Sequence, residues 1–245
     1  MKTNLIGISG KIGSGKDTVG NIIQMLTQGI DSNTQIIEYV NGANITGFDY
    51  QIKKYADKLK DIVCLLIGCT REQLEDREFK EKPLGEDWML YRTTSSYGAP
   101  DELSLTPTGA IHERKEYLTP RKLLQLLGTE CGRQILHPNI WVNALFADYK
   151  GIDNPLEKGH PEEWGKPNWI ITDVRFPNEA QAIKDRGGIV IRVDRKLDRP
   201  LTAEEIVSSQ HPSETALDNY EFDHVIDNNG SIEELVEKVK QLNLV

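Results

Sequence analysis

The residues that most clearly indicate chemistry lie near the N-terminus. A short apolar run of strand type, residues 4–9, is followed by a glycine-rich turn, then by Lys16 and Thr18, and then by an apolar helical pattern. A phosphate-binding loop requires this order of strand, glycine-rich turn, lysine, hydroxyl residue and helix. Its backbone N–H groups can surround an anion, and the helix N-terminus adds a partial positive charge. The sequence therefore predicts a nucleotide-phosphate site formed by Gly10, Gly13, Ser14, Gly15, Lys16, Asp17 and Thr18.

Lys16 and Asp17 are the charged residues at the end of this loop. Lys16 can reach terminal phosphates as a point charge, whereas a cation at the start of an ordinary helix would oppose the helix dipole. Asp17 stands where the motif usually has the Ser or Thr that binds Mg²⁺. A carboxylate this close to phosphates is costly unless a cation lies between them. Three interpretations stay open for Asp17: it helps to hold Mg²⁺, it faces the phosphoryl acceptor, or it is an acid favoured at a helix start.

A second pair of candidates follows the buried strand predicted at residues 168–173. Asp173 ends this strand, where an acid beside a phosphate-binding loop can hold Mg²⁺ directly or through water. Arg175, two residues later, is placed to contact phosphate. The alternative for both is a structural ion pair at a turn.

Arg121 and Arg133 flank a leucine-rich predicted helix, and Trp141 lies in the next one. Arginine is the usual residue for bidentate phosphate binding, although a single exposed arginine on a helix commonly has no such role. Trp141 is a candidate for stacking on a base, with a core position as the alternative that its residue type favours.

Further candidates lie towards the C-terminus. Arg195 and Arg199 belong to a short basic stretch in an acidic protein. Such a segment can close over phosphates and neutralise charge in the transition state, or it can be a solvated loop. His211 precedes a proline and is a candidate phosphate donor or helix cap. Asn228 follows the last predicted strand, in position to touch an adenine, with a plain turn as the alternative.

Composition limits the classes of function. The 245 residues suit one large domain, or a core with an inserted lobe, and the 38% hydrophobic content suffices for a core. No stretch has the length of a membrane span, and Met1 leads almost directly into the first strand, which predicts no signal peptide. The three cysteines indicate reduced core thiols in a cytoplasmic protein. The net charge of −9 argues against a nucleic-acid polymer as partner, but not against a small nucleotide.

Strand-type and helix-type patterns alternate along the chain. Predicted strands lie at residues 4–9, 35–40, 50–56, 168–173, 189–193 and 224–227, and predicted helices begin near Asp57, Pro120, Asn139, Pro177 and Ile232. This alternation predicts an α/β fold with a doubly wound parallel sheet of about five strands, whose ligands collect at the carboxyl ends of the strands. Residues 79–118 lack periodicity and are interpreted as a mobile insertion with a hairpin near residues 103–111.

Taken in order, these residues resemble the deoxynucleoside monophosphate kinases of tailed bacteriophages, which belong to the P-loop monophosphate kinases. The resemblance covers nearly the whole chain. Its matching stretches are residues 9–18, 55–60, 119–121, 127–130, Arg133, 137–138, Trp141, 172–176, 178–180, His211, 213–214 and 226–228. An Asp after the loop lysine is itself a feature of this family, so Asp17 supports the resemblance.

The resemblance implies transfer of the γ-phosphoryl group of ATP to a deoxynucleoside 5′-monophosphate (dNMP), giving ADP and a dNDP, with Mg²⁺. It also implies a helical monophosphate-binding lobe, expected at residues 57–150, and a lid at residues 195–213. The expected partners are small-molecule substrates, without a nucleic-acid polymer or a membrane, and a homodimer stays open.

The resemblance also distributes roles among the candidates. Lys16, Mg²⁺ and the lid arginines Arg195 and Arg199 would hold the transferred group. Arg121, Arg133 and Arg175 would hold the acceptor phosphate, and Asp17 and Asp173 would hold the metal. The remaining substrate-binding positions are Asp57, Lys60, Trp141, Asp173 and His211, while Asn228 would contact the ATP adenine. No general base is required, because the acceptor phosphate oxygen is already a nucleophile at neutral pH.

Two other classes of function compete with this interpretation. Another small-molecule P-loop kinase, such as a dephospho-coenzyme A kinase or a phosphomevalonate kinase, shares the first strand, the loop and the lid. It does not predict the matches between residues 119 and 141. A non-catalytic ATP-binding protein is the other alternative, and the intact Gly10, Gly15 and Lys16 count against it.

Overall fold

The computed structural model describes residues 3–93, 102–104, 113–150, 165–196 and 209–244. The chain forms two compact units. The first comprises Met1–Tyr55 together with Val142–Val245, and the second comprises Ala56–Trp141.

The described residues form eight strands and ten α-helices. The strands are β1 Leu5–Ser9, β2 Tyr50–Lys53, β3 Met89–Thr93, β4 Glu102–Ser104, β5 Glu113–Tyr117, β6 Asn168–Val174, β7 Ile189–Asp194 and β8 His224–Asp227. The helices are α1 Lys16–Thr27, α2 Asn33–Val40, α3 Asp57–Ile67, α4 Arg71–Glu75, α5 Arg77–Glu81, α6 Pro120–Gln125, α7 Ile140–Phe146, α8 Pro177–Lys184, α9 Pro212–Thr215 and α10 Ile232–Lys240.

A five-stranded sheet organises the first unit, in the order β2-β6-β1-β7-β8. All four neighbouring pairs are parallel. β1 is central, and its five residues are all buried, as expected for a strand covered on both faces. Because parallel strands end at the same edge, the residues that follow β1 lie beside the ends of β6 and β7. The predicted doubly wound parallel sheet of about five strands is confirmed.

Alternation along β1 assigns its side chains to the two faces of the sheet. Ile6 and Ile8 join a hydrophobic cluster with side chains of α1, α2 and α10. Leu5 joins a second cluster with side chains of α7 and α8. Gly7 lies on this second face, where a Cβ would come within 2.5 Å of Ile183 Cδ1. Both faces are therefore covered by helices, so the carboxyl edge of the sheet is the region left for a ligand.

One predicted strand is wrong. Residues 35–40 are part of helix α2, which buries Ile36 and packs Ile37, Tyr39 and Val40 partly against the first cluster. A short run rich in β-branched and aromatic residues suits either a strand or a buried helix segment. Contacts with neighbouring helices decide the outcome here, since the Tyr39 hydroxyl donates a hydrogen bond to Gln24 Oε1 of α1 at 2.7 Å.

The second unit combines helices with a small antiparallel sheet of order β4-β3-β5. Both β4 and β5 pair with β3, and most of the hairpin predicted near residues 103–111 lies outside the described residues. Residues 94–101 and 105–112 lie outside the described residues. The free cysteines Cys64, Cys69 and Cys131 belong to this unit and are half-buried or exposed, which corrects their prediction as core residues.

A π-helical segment, Leu126–Leu136, continues directly from α6. The sequence predicts a break at Gly128 and Gly132, but both are buried within the segment. A Cβ at Gly128 would lie 2.9 Å from Leu59 Cδ2, and one at Gly132 would lie 2.5 Å from the Leu127 carbonyl oxygen. The glycines therefore allow close packing in this helical segment rather than ending it.

The boundaries of the two units can be compared with the lobe expected at residues 57–150 and the lid expected at residues 195–213. The second unit begins at Ala56, next to the expected lobe start at residue 57. The structure assigns residues from Val142 onwards to the first unit, where α7 packs on the sheet. Most of the expected lid falls on residues 197–208, outside the described residues. Within the described part of the chain, no helix has the length and apolar character needed to cross a membrane.

Asp223 joins the start of β7 to α8, and its replacement by Asn is expected to destabilise the first unit. Its carboxylate accepts a hydrogen bond from the Val190 amide at 2.7 Å and pairs with Lys184. Partial burial opposes ionisation, but these two contacts prevail and lower the pKa of Asp223. Asp223→Asn should therefore lower the free energy of unfolding by about 1 kcal/mol at neutral pH.

The pH dependence of this effect follows from the direction of the pKa shift. A carboxyl with a lower pKa in the folded state stabilises above its unfolded pKa of about 4, and this contribution is lost as the pH falls through the folded pKa. Urea unfolding at several pH values measures it. The two proteins should differ at pH 7 and converge in acid. A difference independent of pH would show that the ionised carboxylate is not responsible.

Candidate active site

The turn between β1 and α1, residues 10–18, has the backbone of a phosphate-binding loop, and we call it the phosphate loop. Gly13 and Gly15 have φ angles of 77° and 91°, which favour glycine because a Cβ would be strained there. Gly10 lies against Ser14 of the loop and against β7, since a Cβ there would come within 2.3 Å of the Ser14 hydroxyl oxygen and 2.7 Å of the Val193 carbonyl oxygen. The predicted glycines are therefore required by the conformation of the loop.

Asn228 holds the backbone of the phosphate loop through its side-chain amide. Its side-chain amide donates a hydrogen bond to the Ser14 carbonyl oxygen at 2.8 Å, and a Cβ on Gly15 would lie 2.4 Å from the same nitrogen. The Ser14 hydroxyl is buried and has no hydrogen-bond partner among the described residues. An unpartnered buried hydroxyl in such a loop fits a phosphate oxygen as its missing acceptor.

Lys16 begins α1 and folds back over the loop, where its ammonium donates to the Lys11 carbonyl oxygen at 3.4 Å. Burial and the nearby Arg175 guanidinium lower the pKa of Lys16, against the opposing charges of Asp17, Glu214 and Asp173. Two cations beside each other are unfavourable in the absence of an anion. The Lys16 ammonium therefore lies on the phosphate loop with a second cation, Arg175, and three carboxylates in its electrostatic surroundings.

Asp17 is held by two donors from neighbouring strands. Its Oδ1 accepts a hydrogen bond from the Thr172 hydroxyl at 2.7 Å and lies 2.8 Å from the Lys54 ammonium. Burial would raise the pKa of Asp17, but these two donors and the charge of Lys16 outweigh it and lower the pKa. The carboxylate therefore stays ionised at neutral pH and is suited to a divalent cation.

Asp173 and Arg175 occupy the end of β6 and the turn after it. Asp173 Oδ1 accepts a hydrogen bond from the Tyr55 amide at 2.7 Å. The turn is fixed by Glu179, which is 1% exposed and accepts from the amides of Arg175 and Phe176. Arg175 itself forms an ion pair with the buried Glu214. Arg175 therefore has an ion-pair partner that lies outside the turn after β6.

His211 caps the short helix α9. Its Nδ1 accepts from the Ser213 amide at 3.2 Å, and the Ser213 hydroxyl lies 2.9 Å from the same nitrogen. Arg195 follows β7 and is exposed. Arg199, the other expected lid arginine, lies outside the described residues. The structure therefore describes His211 as a helix cap and leaves the lid arginines as predictions.

The candidates of the second unit are mostly in ion pairs within that unit. Asp57 begins α3 and pairs with Arg71 at 3.1 Å, Lys60 pairs with Glu75, and Arg121 pairs with Glu81. Arg133 is half-buried. Trp141 is 6% exposed and donates its indole N–H to the Gly128 carbonyl oxygen at 2.7 Å. The core position considered for Trp141 is the one observed.

Two residues that contact the candidate site residues, Lys54 and Glu214, have no distinguishing pattern in the sequence. Lys54 follows β2, whose carboxyl end lies beside that of β6, but it falls inside the strand predicted at residues 50–56, and this position gives no signal of a site residue. Glu214 belongs to the matching stretch 213–214, but its sequence context indicates only a helix start. Neither contact could be derived from spacing along the chain, since both join segments more than 30 residues apart.

Comparison with known proteins identifies the family. A family model described as deoxynucleotide monophosphate kinase matches residues 94–239, more than half of the chain. The chain is 29% identical over 239 residues to the deoxynucleoside-5′-monophosphate kinase of Escherichia phage T5, which covers 87% of this chain and 84% of that protein. It is also 29% identical over 243 residues to a putative deoxynucleotide monophosphate kinase of Acanthamoeba polyphaga mimivirus, covering 96% and 93%.

A shorter match has the same name. The deoxynucleotide monophosphate kinase of Enterobacteria phage T4 is 29% identical over 133 residues, which cover 54% of this chain and 48% of that protein. The resemblance inferred from the phosphate loop and the later motifs is confirmed, and the chain belongs to the deoxynucleotide monophosphate kinase family.

Proposed function

We propose that this protein transfers the γ-phosphoryl group of ATP to a deoxynucleoside 5′-monophosphate, giving ADP and a deoxynucleoside 5′-diphosphate, with Mg²⁺. The observation that carries the proposal is the phosphate loop of a chain from this kinase family. The loop combines left-handed glycines, an unpartnered buried Ser14 hydroxyl and the Lys16 ammonium. These groups match the acceptor oxygens and the negative charge of a nucleotide polyphosphate.

The reaction needs little covalent help from the protein. An oxygen of the acceptor phosphate attacks the γ-phosphorus, the bond from that phosphorus to the oxygen of ADP breaks, and the leaving oxygen carries the charge away. Catalysis is therefore a matter of positioning and of charge stabilisation. Lys16 would neutralise the transferred group from the loop side, and Arg175 would do so from the turn after β6. No general base is assigned.

The donor set around the loop fits a magnesium ion. Mg²⁺ is bound in such sites by one or two carboxylates, phosphate oxygens and water. Asp17, ionised beside Lys54 and Thr172, and Asp173, at the end of β6, are the carboxylates that would hold it. When bound, the ion supplies positive charge that stabilises the phosphate oxygens during transfer. Lys54 would share Asp17 with the ion and limit how far the carboxylate can turn.

The second unit would bind the acceptor. Arg121 and Arg133 remain the candidates for its phosphate, with Asp57 and Lys60 as further contacts. In the ion pair of Arg121 with Glu81, the phosphate would replace the Glu81 carboxylate, an exchange that two exposed groups permit at little cost. Trp141 would contribute by shaping the unit through its buried ring. Arg195, Arg199 and His211 would belong to the lid, and Asn228 would hold the loop beneath the adenine nucleotide.

A coupled ADP-release assay tests the proposal. Purified protein is supplied with ATP and Mg²⁺ and with dAMP, dGMP, dCMP, dTMP, the ribonucleotides, dephospho-coenzyme A or phosphomevalonate in turn. We expect turnover with one or more deoxynucleoside monophosphates. Turnover with a non-nucleotide acceptor alone would retain the fold and reject the substrate class. Tight ATP binding without turnover on any acceptor would favour a non-catalytic ATP-binding protein.

A further inference from the structure

Glu214 is a buried carboxylate that contacts the phosphate loop and Arg175 at once. Its side chain is 4% exposed. One oxygen accepts a hydrogen bond from the Ile12 backbone amide at 2.8 Å, and the other forms an ion pair with the Arg175 guanidinium. Burying a carboxylate is costly unless its oxygens are hydrogen-bonded or paired with a cation. These two partners therefore account for the presence of a charge in this position.

The contact with Ile12 fixes the backbone of the loop rather than a side chain. Ile12 lies between Gly10 and Gly13, and its side chain is 64% exposed. The Ile12 side chain therefore contributes little packing to the loop. The next residue, Gly13, has a left-handed backbone conformation. The hydrogen bond from the Ile12 amide to the buried Glu214 carboxylate therefore restrains the loop backbone at a position where the Ile12 side chain does not.

A second carboxylate of the same segment reaches the preceding loop residue. Asp218 lies 3.2 Å from the Lys11 ammonium and 3.7 Å from the Arg192 guanidinium. The segment of residues 211–218 therefore contacts two successive residues of the phosphate loop. Glu214 is the better defined of the two contacts, because Asp218 is 38% exposed and an exposed ion pair contributes little.

The charge of Glu214 affects the two cations of the site, Arg175 and Lys16. Glu214 is paired with the Arg175 guanidinium, and its negative charge also attracts the Lys16 ammonium, which the positive charge of Arg175 repels. Without the Glu214 carboxylate, the guanidinium would lose its ion-pair partner, keep a long hydrogen bond of 3.5 Å to the Ser213 hydroxyl, and keep the repulsion of Lys16. It would then adopt other rotamers, and the geometry for the transferred phosphoryl group would be lost.

We propose that Glu214 is a positioning residue for phosphoryl transfer, which holds the Arg175 guanidinium and the Ile12 amide of the phosphate loop in a fixed relation. This inference rests on the function proposed above. In this role Glu214 acts through its contacts with Arg175 and the loop. It therefore acts on kcat more than on the KM for either substrate, because it controls the placement of groups that stabilise the transferred charge.

Two variants separate the two contacts. Glu214→Gln keeps an oxygen acceptor for the Ile12 amide and removes the charge that holds Arg175. Glu214→Ala removes both. A misplacement of about 1 Å in a catalytic group can lower the rate by about 100-fold, so we expect kcat to fall about 10-fold in Glu214→Gln and about 100-fold in Glu214→Ala, with each KM changed less than about threefold.

Asp223→Asn is the matched control. Asp223 also accepts a hydrogen bond from one backbone amide and pairs with one cation, but its partners are Val190 and Lys184 at the other end of β7. Its kcat should equal that of the unmodified protein, while its stability falls. A loss of kcat in both Asp223→Asn and Glu214→Gln of the same size would indicate general destabilisation and would overturn the proposal.

A double-mutant cycle tests the route through Arg175. In the Arg175→Ala background, adding Glu214→Gln should lower kcat by less than about threefold, because the remaining Ile12 contact is preserved. A full 10-fold loss in both backgrounds would contradict an action through Arg175. The ¹⁵N-labelled Ile12 amide gives a readout without turnover: its proton should move upfield in Glu214→Ala and stay closer to its original position in Glu214→Gln.

The outcomes distinguish this inference from the proposed function. If the unmodified protein phosphorylates no deoxynucleoside monophosphate, the proposed function is wrong and the role of Glu214 in transfer falls with it. If the unmodified protein is active and both Glu214 variants keep its kcat, the positioning role alone is overturned. Glu214→Gln is nearly isosteric, so it keeps the test decisive even if Glu214→Ala does not fold.

Discussion

Replacing Lys16 with alanine is expected to lower kcat by about 1000-fold, the largest effect of any single substitution in this protein. The Lys16 ammonium lies over the phosphate loop, is partly desolvated, and has the Arg175 guanidinium as a neighbour. A desolvated charge that is already in place costs no reorganisation when negative charge develops on the transferred group. Its removal leaves Arg175 and the metal to stabilise that charge alone.

Steady-state kinetics with ATP, Mg²⁺ and the preferred deoxynucleoside monophosphate measure this loss. Lys240→Ala is the control, since it changes the net charge equally and removes a lysine of α10 that contacts Asn33 and Glu237. That control should keep kcat within about twofold, as expected of a surface substitution outside the site. A Lys16→Ala variant with more than a tenth of the original kcat would contradict the role assigned to the loop lysine.

The parts of this protein that the sequence predicts well are those set by local pattern. The phosphate loop is specified by its glycines and by Lys16, and the structure shows why Gly13 and Gly15 must be glycine. The side chains of Thr70 and Thr119 likewise cap α4 and α6, a position that threonine favours. These features depend on backbone conformation over a few residues, which residue type controls directly.

The parts that the sequence does not predict depend on contacts between distant segments. Residues 35–40 have strand-type composition, yet they form a helix because of the surface that α1 and α10 offer. Lys54 and Glu214 acquire their roles from Asp17 and from Arg175, which lie far away along the chain. Residue type alone does not indicate which partner a lysine after a strand, or an acid at the start of a short helix, will contact.

Asp17→Asn is expected to have the second largest effect, and it decides between the interpretations of that residue. The Asp17 carboxylate is ionised and is oriented by the Thr172 hydroxyl and the Lys54 ammonium. Asparagine keeps the shape and one oxygen but loses the charge that a divalent cation requires. We expect kcat/KM to fall about 100-fold, a loss typical of removing one electrostatic partner of a transition state.

The dependence of the rate on Mg²⁺ identifies the role of Asp17. If the carboxylate holds the metal, the Mg²⁺ concentration for half-maximal rate should rise at least about tenfold in Asp17→Asn, as for loss of a group that orients the metal. The KM for the acceptor should stay nearly constant. Thr172→Val is the graded control, because it keeps the charge and removes one orienting hydrogen bond from Asp17, and it should raise the required Mg²⁺ only slightly.

The opposite pattern would assign Asp17 to the acceptor. A rise in the acceptor KM with unchanged Mg²⁺ dependence would mean that the carboxylate faces the monophosphate, and that Asp173 holds the metal without it. Lys54→Met sharpens the distinction, since removing the ammonium leaves the Asp17 charge available to a cation. If Asp17 is a metal ligand, Lys54→Met should lower the Mg²⁺ concentration required, because the ion no longer shares the carboxylate with a second positive charge.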